Sequence, residues 1–263
     1  MKTLEKNVIL ITGAGMGLGL ATAMEAAALG AKLVLVDYNE EALQKTKSDL
    51  LNDYPEVEIL TIKADVSKEE EVEAYVTETI EKFGQIDGFY NNAGIEGKQA
   101  SITAYEVDVF KKVIDINLLG VYYGLRYVLP HMEEKKYGRI VNVASVGGIR
   151  GVMNQMPYVA SKHAVSGMTK NTALEYARHG ITANAIAPGA ILTPMVAGAF
   201  KQINPDDPKA AEKEYAQANP AKRLGLPEEV AKVVCFLLSK DCSYVNGQTI
   251  AIDGGQSNSY GNV

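Results

Sequence analysis

Seven short runs of apolar residues rich in Val and Ile recur along the chain, at Val8 to Thr12, Lys32 to Asp37, Val57 to Ala64, Ile86 to Asn91, Arg139 to Ala144, Thr182 to Ala187 and Thr249 to Asp253. Nearly unbroken runs of this length predict strands covered on both faces. Between them, apolar positions three and four residues apart predict helices over Leu18 to Leu29, Glu40 to Leu51, Lys68 to Phe83, about Tyr105 to Glu134, Tyr158 to His179 and Pro227 to Ser239. Strands alternating with helices imply right-handed βαβ units. The expectation is one α/β domain over 1–263, a doubly wound, parallel, seven-stranded sheet of Rossmann type. Gly30 and Gly180 stand where helix ends favour glycine, and Pro157 stands where a first turn favours proline. The irregular stretch is Ala190 to Gly225, which carries Pro194, Pro205, Pro208 and Pro220 around a helical patch near Ala210 to Ala218. A connection that long suits a lid over a substrate.

Composition narrows the choice of partners. With 47% hydrophobic and 22% charged residues in 263, there is ample material for a large core. A net charge of −6 and the lack of a long Lys/Arg run argue against nucleic acid. The two cysteines, Cys235 and Cys242, form neither a disulfide framework nor a paired metal motif, which suits a reducing cytoplasm. The apolar stretch in MKTLEKNVILITG is too short for a membrane span or a signal-peptide core, so no membrane association is expected. His131, His163 and His179 lack metal-ligand spacing, and no metal is expected.

Chemistry enters at the strand ends. VILITGAGMGLGLATA sets Gly13, Gly17 and Gly19 between a buried strand and a helix, where backbone can approach a pyrophosphate; glycines serving packing alone would look the same. Asp37, 24 residues after Gly13, ends the second strand, where a carboxylate can accept from ribose hydroxyls or merely close a turn. A 2′-phosphate about 4 Å away would meet repulsion of roughly 4 kcal/mol per charge pair, and neither Tyr38 nor Asn39 offsets it, so NAD is favoured over NADP. In PYVASKHAVSG, Tyr158 and Lys162 are one helical turn apart, close enough for the ammonium to lower the phenol pKa. The spacing is also common on ordinary helices. Ser145 ends the strand GRIVNVAS at the carboxyl edge of the sheet, as a ligand-facing or a capping residue.

TGAGMGLG, Asp37, Asp65 with Val66, NNAG at Asn91 to Gly94, Asn117 in DINLLG, Ser145, YVASK, and Pro188 and Gly189 followed by Thr193 occur in one order along the chain. This series resembles the short-chain dehydrogenase/reductase family in its compact single-domain branch, over essentially the whole sequence. The resemblance implies Tyr158 as general acid or base, Lys162 lowering its pKa and binding the nicotinamide ribose, Ser145 polarising the substrate carbonyl, and Asn117 holding a water that links Lys162 to solvent. It places the cofactor on Gly13, Met16, Gly17, Leu18, Gly19, Asp37, Asp65, Val66, Asn92, Ala93, Gly94, Pro188, Gly189, Ile191 and Thr193, with Tyr158 and Lys162. It further implies a homotetramer with VYYGLRYVLPHM and the ending after Tyr244 at interfaces.

The expected activity is NAD(H)-dependent interconversion of a secondary alcohol and a ketone. Ile191, Met195, Val196 and Phe200 of the lid, with Val146, Ile149, Met153 and Glu96 opposite, form a largely apolar lining that suits a cyclic or medium-sized ketone or diketone. Arg150, the nearby cation, reads as a surface residue. The competing readings are a reductase of 3-oxoacyl or other oxo-acid substrates, and a non-catalytic sensor of the NAD redox state. A nucleotide-sugar epimerase or dehydratase would carry a GxxGxxG loop and a larger C-terminal domain.

Overall fold

The structure is a computed structural model and describes residues 2–259; the last four residues of the expected C-terminal interface, 260–263, lie outside the described residues. Its strands are β1 (Val8–Thr12), β2 (Lys32–Asp37), β3 (Ile59–Lys63), β4 (Gly88–Asn91), β5 (Gly138–Val143), β6 (Ile181–Pro188) and β7 (Thr249–Ile252). The helices are α1 (Gly17–Ala28), α2 (Glu40–Asp53), α3 (Glu69–Phe83), α4 (Val107–Ile114), α5 (Gly120–Lys135), α6 (Met156–Tyr176), α7 (Pro194–Ile203), α8 (Pro208–Ala218) and α9 (Pro227–Leu238). The seven strands pair in parallel in the order β3-β2-β1-β4-β5-β6-β7. The doubly wound parallel sheet expected from the sequence is therefore present.

Each side of the sheet has its own apolar layer. On β1 and β2, Ile9, Ile11, Leu33 and Leu35 point into a cluster with Ala23 and Ala26 of α1, Leu43 and Leu50 of α2, and Val230 and Val234 of α9. Val8, Leu10, Val34 and Val36 point the other way, onto Val72, Tyr75 and Val76 of α3, Val121, Leu125 and Val128 of α5, and Val165 of α6. This two-sided burial is why these strands read as continuous apolar runs.

Two elements differ from expectation. The single helix expected over about Tyr105 to Glu134 is α4 and α5 joined by a π turn at Asp115–Leu119, where the Gly120 N–H bonds to the Asp115 carbonyl. Such turns insert one extra residue and cluster at functional sites. The stretch Ala190 to Gly225 holds two helices, because Pro194 opens α7 with Thr193 as its cap, in addition to α8 capped by Asp207. Its ends meet: Ile191 pairs with Gly225, Leu192 N–H donates to Gly225 O at 2.9 Å, and Gly225 N–H donates to Ala190 O at 3.0 Å.

Since β1 is enclosed by both layers, Ile11→Ala should cost about 2–5 kcal/mol of stability, as cavity-forming substitutions in a close-packed core do. Urea denaturation should show a lower midpoint at an unchanged slope.

Candidate active site

Strand order reverses between β1 and β4, so a crevice opens beyond their carboxyl ends. The chain leaves β1 at Thr12 and enters α1 through Met16, an extended residue that supplies no side-chain cap, so the first-turn N–H groups have no side-chain acceptor from the N-cap residue. Gly17 has φ +57°, the left-handed region, and a Cβ there would stand 3.4 Å from Thr193. A Cβ on Gly19 would overlap the Gly13 carbonyl oxygen, so α1 starts closer to the strand end than any other residue permits. The second wall is stapled on: Thr12 Oγ1 accepts from Asn92 N at 3.0 Å and Ala93 N at 3.1 Å, and Asn92 Nδ2 donates to the carbonyls of Thr12 at 2.8 Å and Gly13 at 3.1 Å. Thr12 opens the TGAGMGLG run, but nothing in the sequence pattern points to this bridging role. Gly13, Met16, Gly17, Leu18, Gly19, Asn92, Ala93 and Thr193 thus gather at one place, and the cradle fits a dinucleotide pyrophosphate. Pro188 ends β6, Gly189 N–H is held by Ile252 O at 3.0 Å, and Ile191 is drawn into the core.

The Asp37 carboxylate is 7% exposed and held by two backbone donors, Gly15 N to Oδ2 at 2.8 Å and Asn39 N to Oδ1 at 2.9 Å. Its orientation is fixed beside the glycine loop. The sequence offered no cation next to it, yet the fold sets Lys63 opposite Asp37 on β3, with its ammonium 3.8 Å from Glu40. Asp65 uses Oδ1 to accept from Ser67 N at 2.9 Å and Ser67 Oγ at 2.7 Å, and Val66 is buried beside Gly120.

The second cluster lies at the ends of β4 and β5. Ser145 Oγ accepts from Gly147 N at 3.1 Å, and a Cβ on Gly147 would stand 3.6 Å from that Oγ and 3.5 Å from the Tyr158 ring, so the two side chains are neighbours. Lys162, 3% exposed, donates from Nζ to Val143 O at 2.7 Å and stands 5.6 Å from the centre of the Tyr158 ring. Asn117, fully buried in the π turn, grips Ile95 at both backbone groups, accepting from N and donating to O at 2.8 Å each. A Cβ on Gly94 would stand 3.1 Å from Asn117 Oδ1 and 3.5 Å from Lys162 Nζ, so these groups converge. Glu96 Oε1 accepts from Gln155 Nε2 at 2.5 Å and Gln99 Nε2 at 3.1 Å.

The electrostatics of the protein alone oppose ionisation of Tyr158. Burial raises the Tyr158 pKa above its ordinary 10, the Ser145 hydrogen bond pulls it down, and the charge of Glu96 pushes it up. Lys162 does not reverse that balance; its own pKa is brought down to about 8 by burial. Within the protein alone, Tyr158 is therefore a neutral phenol near pH 7, ready to give a proton. Burial also raises the Glu96 carboxyl, against the hydrogen bond from Gln99.

The apolar lining is more dispersed than the sequence suggested. Val146 is buried, Ile149 is exposed, and Met153 is 85% exposed at the rim. Phe200 packs edge-on against Tyr215 at 5.7 Å and, with Val196, Thr193 and Glu212, bounds a cavity of about 300 Å³ between α7 and α8. Arg150 is not a surface cation: half-buried, its Nη1 donates to the Gln256 carbonyl at 2.8 Å. Among the described residues, no group of three or more His, Cys, Asp and Glu could hold a metal, and no helix is long and apolar enough to cross a membrane.

Comparison with known proteins gives consistent matches. A family profile described as enoyl-(acyl carrier protein) reductase matches residues 13–257. Levodione reductase of Leifsonia aquatica is 56% identical over 254 residues, 97% of this chain and 95% of that protein. Cyclohexanol dehydrogenase of Acinetobacter sp. is 39% identical, over 95% and 94%. The crystal structure of levodione reductase superimposes with TM-score 0.97 at 55% identity, covering 98% of this chain and all of that one.

The buried Lys162 sets a measurable stability profile. Below about pH 8 the folded and unfolded chains both carry its proton and the full desolvation cost stands; above that, the unfolded chain holds a proton the folded chain has lost, so this contribution to stability rises until about pH 10.5. Lys162→Met should therefore exceed the parent in stability by about 1–3 kcal/mol at pH 7, with the gap closing towards pH 10. Urea midpoints at the two pH values check this; a constant gap would contradict it.

Proposed function

The chain belongs to the short-chain dehydrogenase/reductase family, alcohol and ketone oxidoreductases that use a nicotinamide cofactor, and within it we propose that this enzyme interconverts a cyclic or medium-sized ketone or diketone and its secondary alcohol with NAD(H). The observation that carries this reading is the convergence of Ser145, Tyr158 and Lys162: a Cβ on Gly147 would stand 3.5 Å from the Tyr158 ring and 3.6 Å from Ser145 Oγ, and Lys162 Nζ is 5.6 Å from the centre of that ring. A bound nicotinamide dinucleotide supplies or accepts the hydride. Tyr158, neutral in its desolvated position, hands its proton to the carbonyl oxygen as that oxygen gains negative charge. Ser145 has spent one lone pair on Gly147 N–H, which leaves its hydroxyl hydrogen for the same oxygen. Lys162 stabilises the tyrosinate left behind and binds the nicotinamide ribose. Asn117 fixes the loop beside Lys162 and marks where a water returns the proton from solvent.

For the substrate class, two relatives are named for cyclic compounds, levodione and cyclohexanol. The structure adds that Arg150 commits one guanidinium N–H to the Gln256 carbonyl at 2.8 Å. A redox sensor would have no use for the intact Tyr158, Lys162 and Ser145. For NAD over NADP, the support is the fixed Asp37 carboxylate, with Lys63 turned to Glu40. The apolar residues left open at Leu119 of the π turn, Tyr122 of α5 and Leu174 of α6, and Phe236 and Tyr244 near the C-terminus support a homotetramer. The free, buried cysteines suit a cytoplasmic setting.

Cofactor choice should appear as at least about tenfold higher kcat/KM with NADH than with NADPH, each tenfold being about 1.36 kcal/mol. Asp37→Ser combined with Tyr38→Arg should shift the preference to NADPH, and equal use by the parent would refute the assignment.

A panel assay at fixed NADH should show reduction of cyclohexanone-type substrates or vicinal diketones and little turnover of 2-oxo or 3-oxo carboxylates. On the best substrate, Tyr158→Phe should lower kcat by roughly 10² to 10⁴ with NADH affinity nearly unchanged. Near-normal kcat in that variant would remove Tyr158 as the proton donor.

A further inference from the structure

The segment from Ala190 to Gly225 is joined at its base by the backbone pairing of Ile191 with Gly225. Its far edge is held differently. Gln202, in the last turn of α7, accepts from the backbone N–H of Gln99 through Oε1 at 3.0 Å and donates from Nε2 to the carbonyl of Gly97 at 3.3 Å. Among the described residues these are the only hydrogen bonds between the lid and the loop that follows β4. A primary amide carries a donor and an acceptor in one plane, so Gln202 matches the carbonyl and N–H of two residues in the same loop, which neither a carboxylate nor an ammonium does.

The loop it seats on leads into the site. The Gln99 side chain donates to Glu96, and Glu96 also takes Gln155, the residue immediately before α6 and three before Tyr158. From the other side, Lys98 N–H donates to Tyr105 Oη at 3.0 Å and anchors the loop to the chain leading into α4. We propose that Gln202 is a positioning residue: its amide latches the lid onto the loop at Gly97 and Gln99, and through Gln99 and Glu96 couples lid closure to the head of the helix that bears Tyr158. The role as a lid rests on the functional reading above; the latch itself rests on the geometry. Gln202 is exposed, so water competes for both bonds and the latch is weak by construction. Substrate can then enter and product leave without unfolding of the lid.

The test is hydrogen exchange on the full protein, since the Gln99 backbone N–H is protected by Gln202 itself. In Gln202→Met, a side chain of similar length without hydrogen-bonding groups, exchange at Gln99 and across α7 should rise by about tenfold, the factor for losing two exposed hydrogen bonds, with β1 and β4 unchanged. Gln202→Glu keeps the acceptor for Gln99 and loses the donor to Gly97, so Gln99 should stay protected while α7 exchanges faster. Steady-state assays of Gln202→Met with NADH and cyclohexanone should show KM raised by about fivefold and kcat unchanged or higher. Unchanged exchange at Gln99 and α7 would overturn the latch, and so would a fall in kcat at constant KM. If neither parent nor variant reduces any ketone, the functional reading fails, while the exchange data still decide the latch.

Discussion

The site depends on keeping one ammonium out of water. Moving Lys162 from solvent to 3% exposure lowers its pKa to about 8, a cost of about 3 kcal/mol that the surrounding structure must tolerate. The Val143 carbonyl accepts one hydrogen bond from it. Glycine at position 94 and the π turn holding Asn117 bring two further walls close to it. What the fold gains is a cation held one helical turn from Tyr158, ready to respond when a nearby charge or proton changes. Stability is lost here for that readiness, as is common where buried ionisable groups serve chemistry.

The parts legible in the sequence were those whose physics is local. The doubly buried strands announced themselves as unbroken Val and Ile runs, and the glycines before α1 marked a close backbone approach that a Cβ on Gly19 would block. Tyr158 and Lys162 share a helix face by spacing alone. The sign of the Tyr158 pKa was not legible, because desolvation and the charge of Glu96 arise from elements up to 62 residues away along the chain. Lys63 is 26 residues from Asp37 and meets it only through strand register. A π turn and a straight helix differ by one residue in the hydrogen-bond ladder, so apolar spacing across Asp115–Leu119 does not separate them. The α7 helix begins at a proline, which at first reading breaks structure and here opens it.

The polar contacts around the crevice differ in strength according to their work. Those around the glycine loop are shielded and made by backbone or short side chains, as at Thr12, Asn92 and Asp37. Those on the substrate side use long amide side chains, Gln99, Gln155 and Gln202, with more freedom and more water around them. Rigidity beside the glycine loop and yielding contacts beside the lid follow from side-chain length and exposure alone.

The strand order has a consequence for how the chain comes to exist at all. β1 lies between β2 and β4, and the sheet spreads outward from it in opposite directions. On a ribosome, residues 8 to 63 can assemble three strands early, but the other edge of β1 stays open until Gly88–Asn91 emerges, and β5 to β7 wait longer still. During that interval β1 has an unpaired, strongly apolar edge.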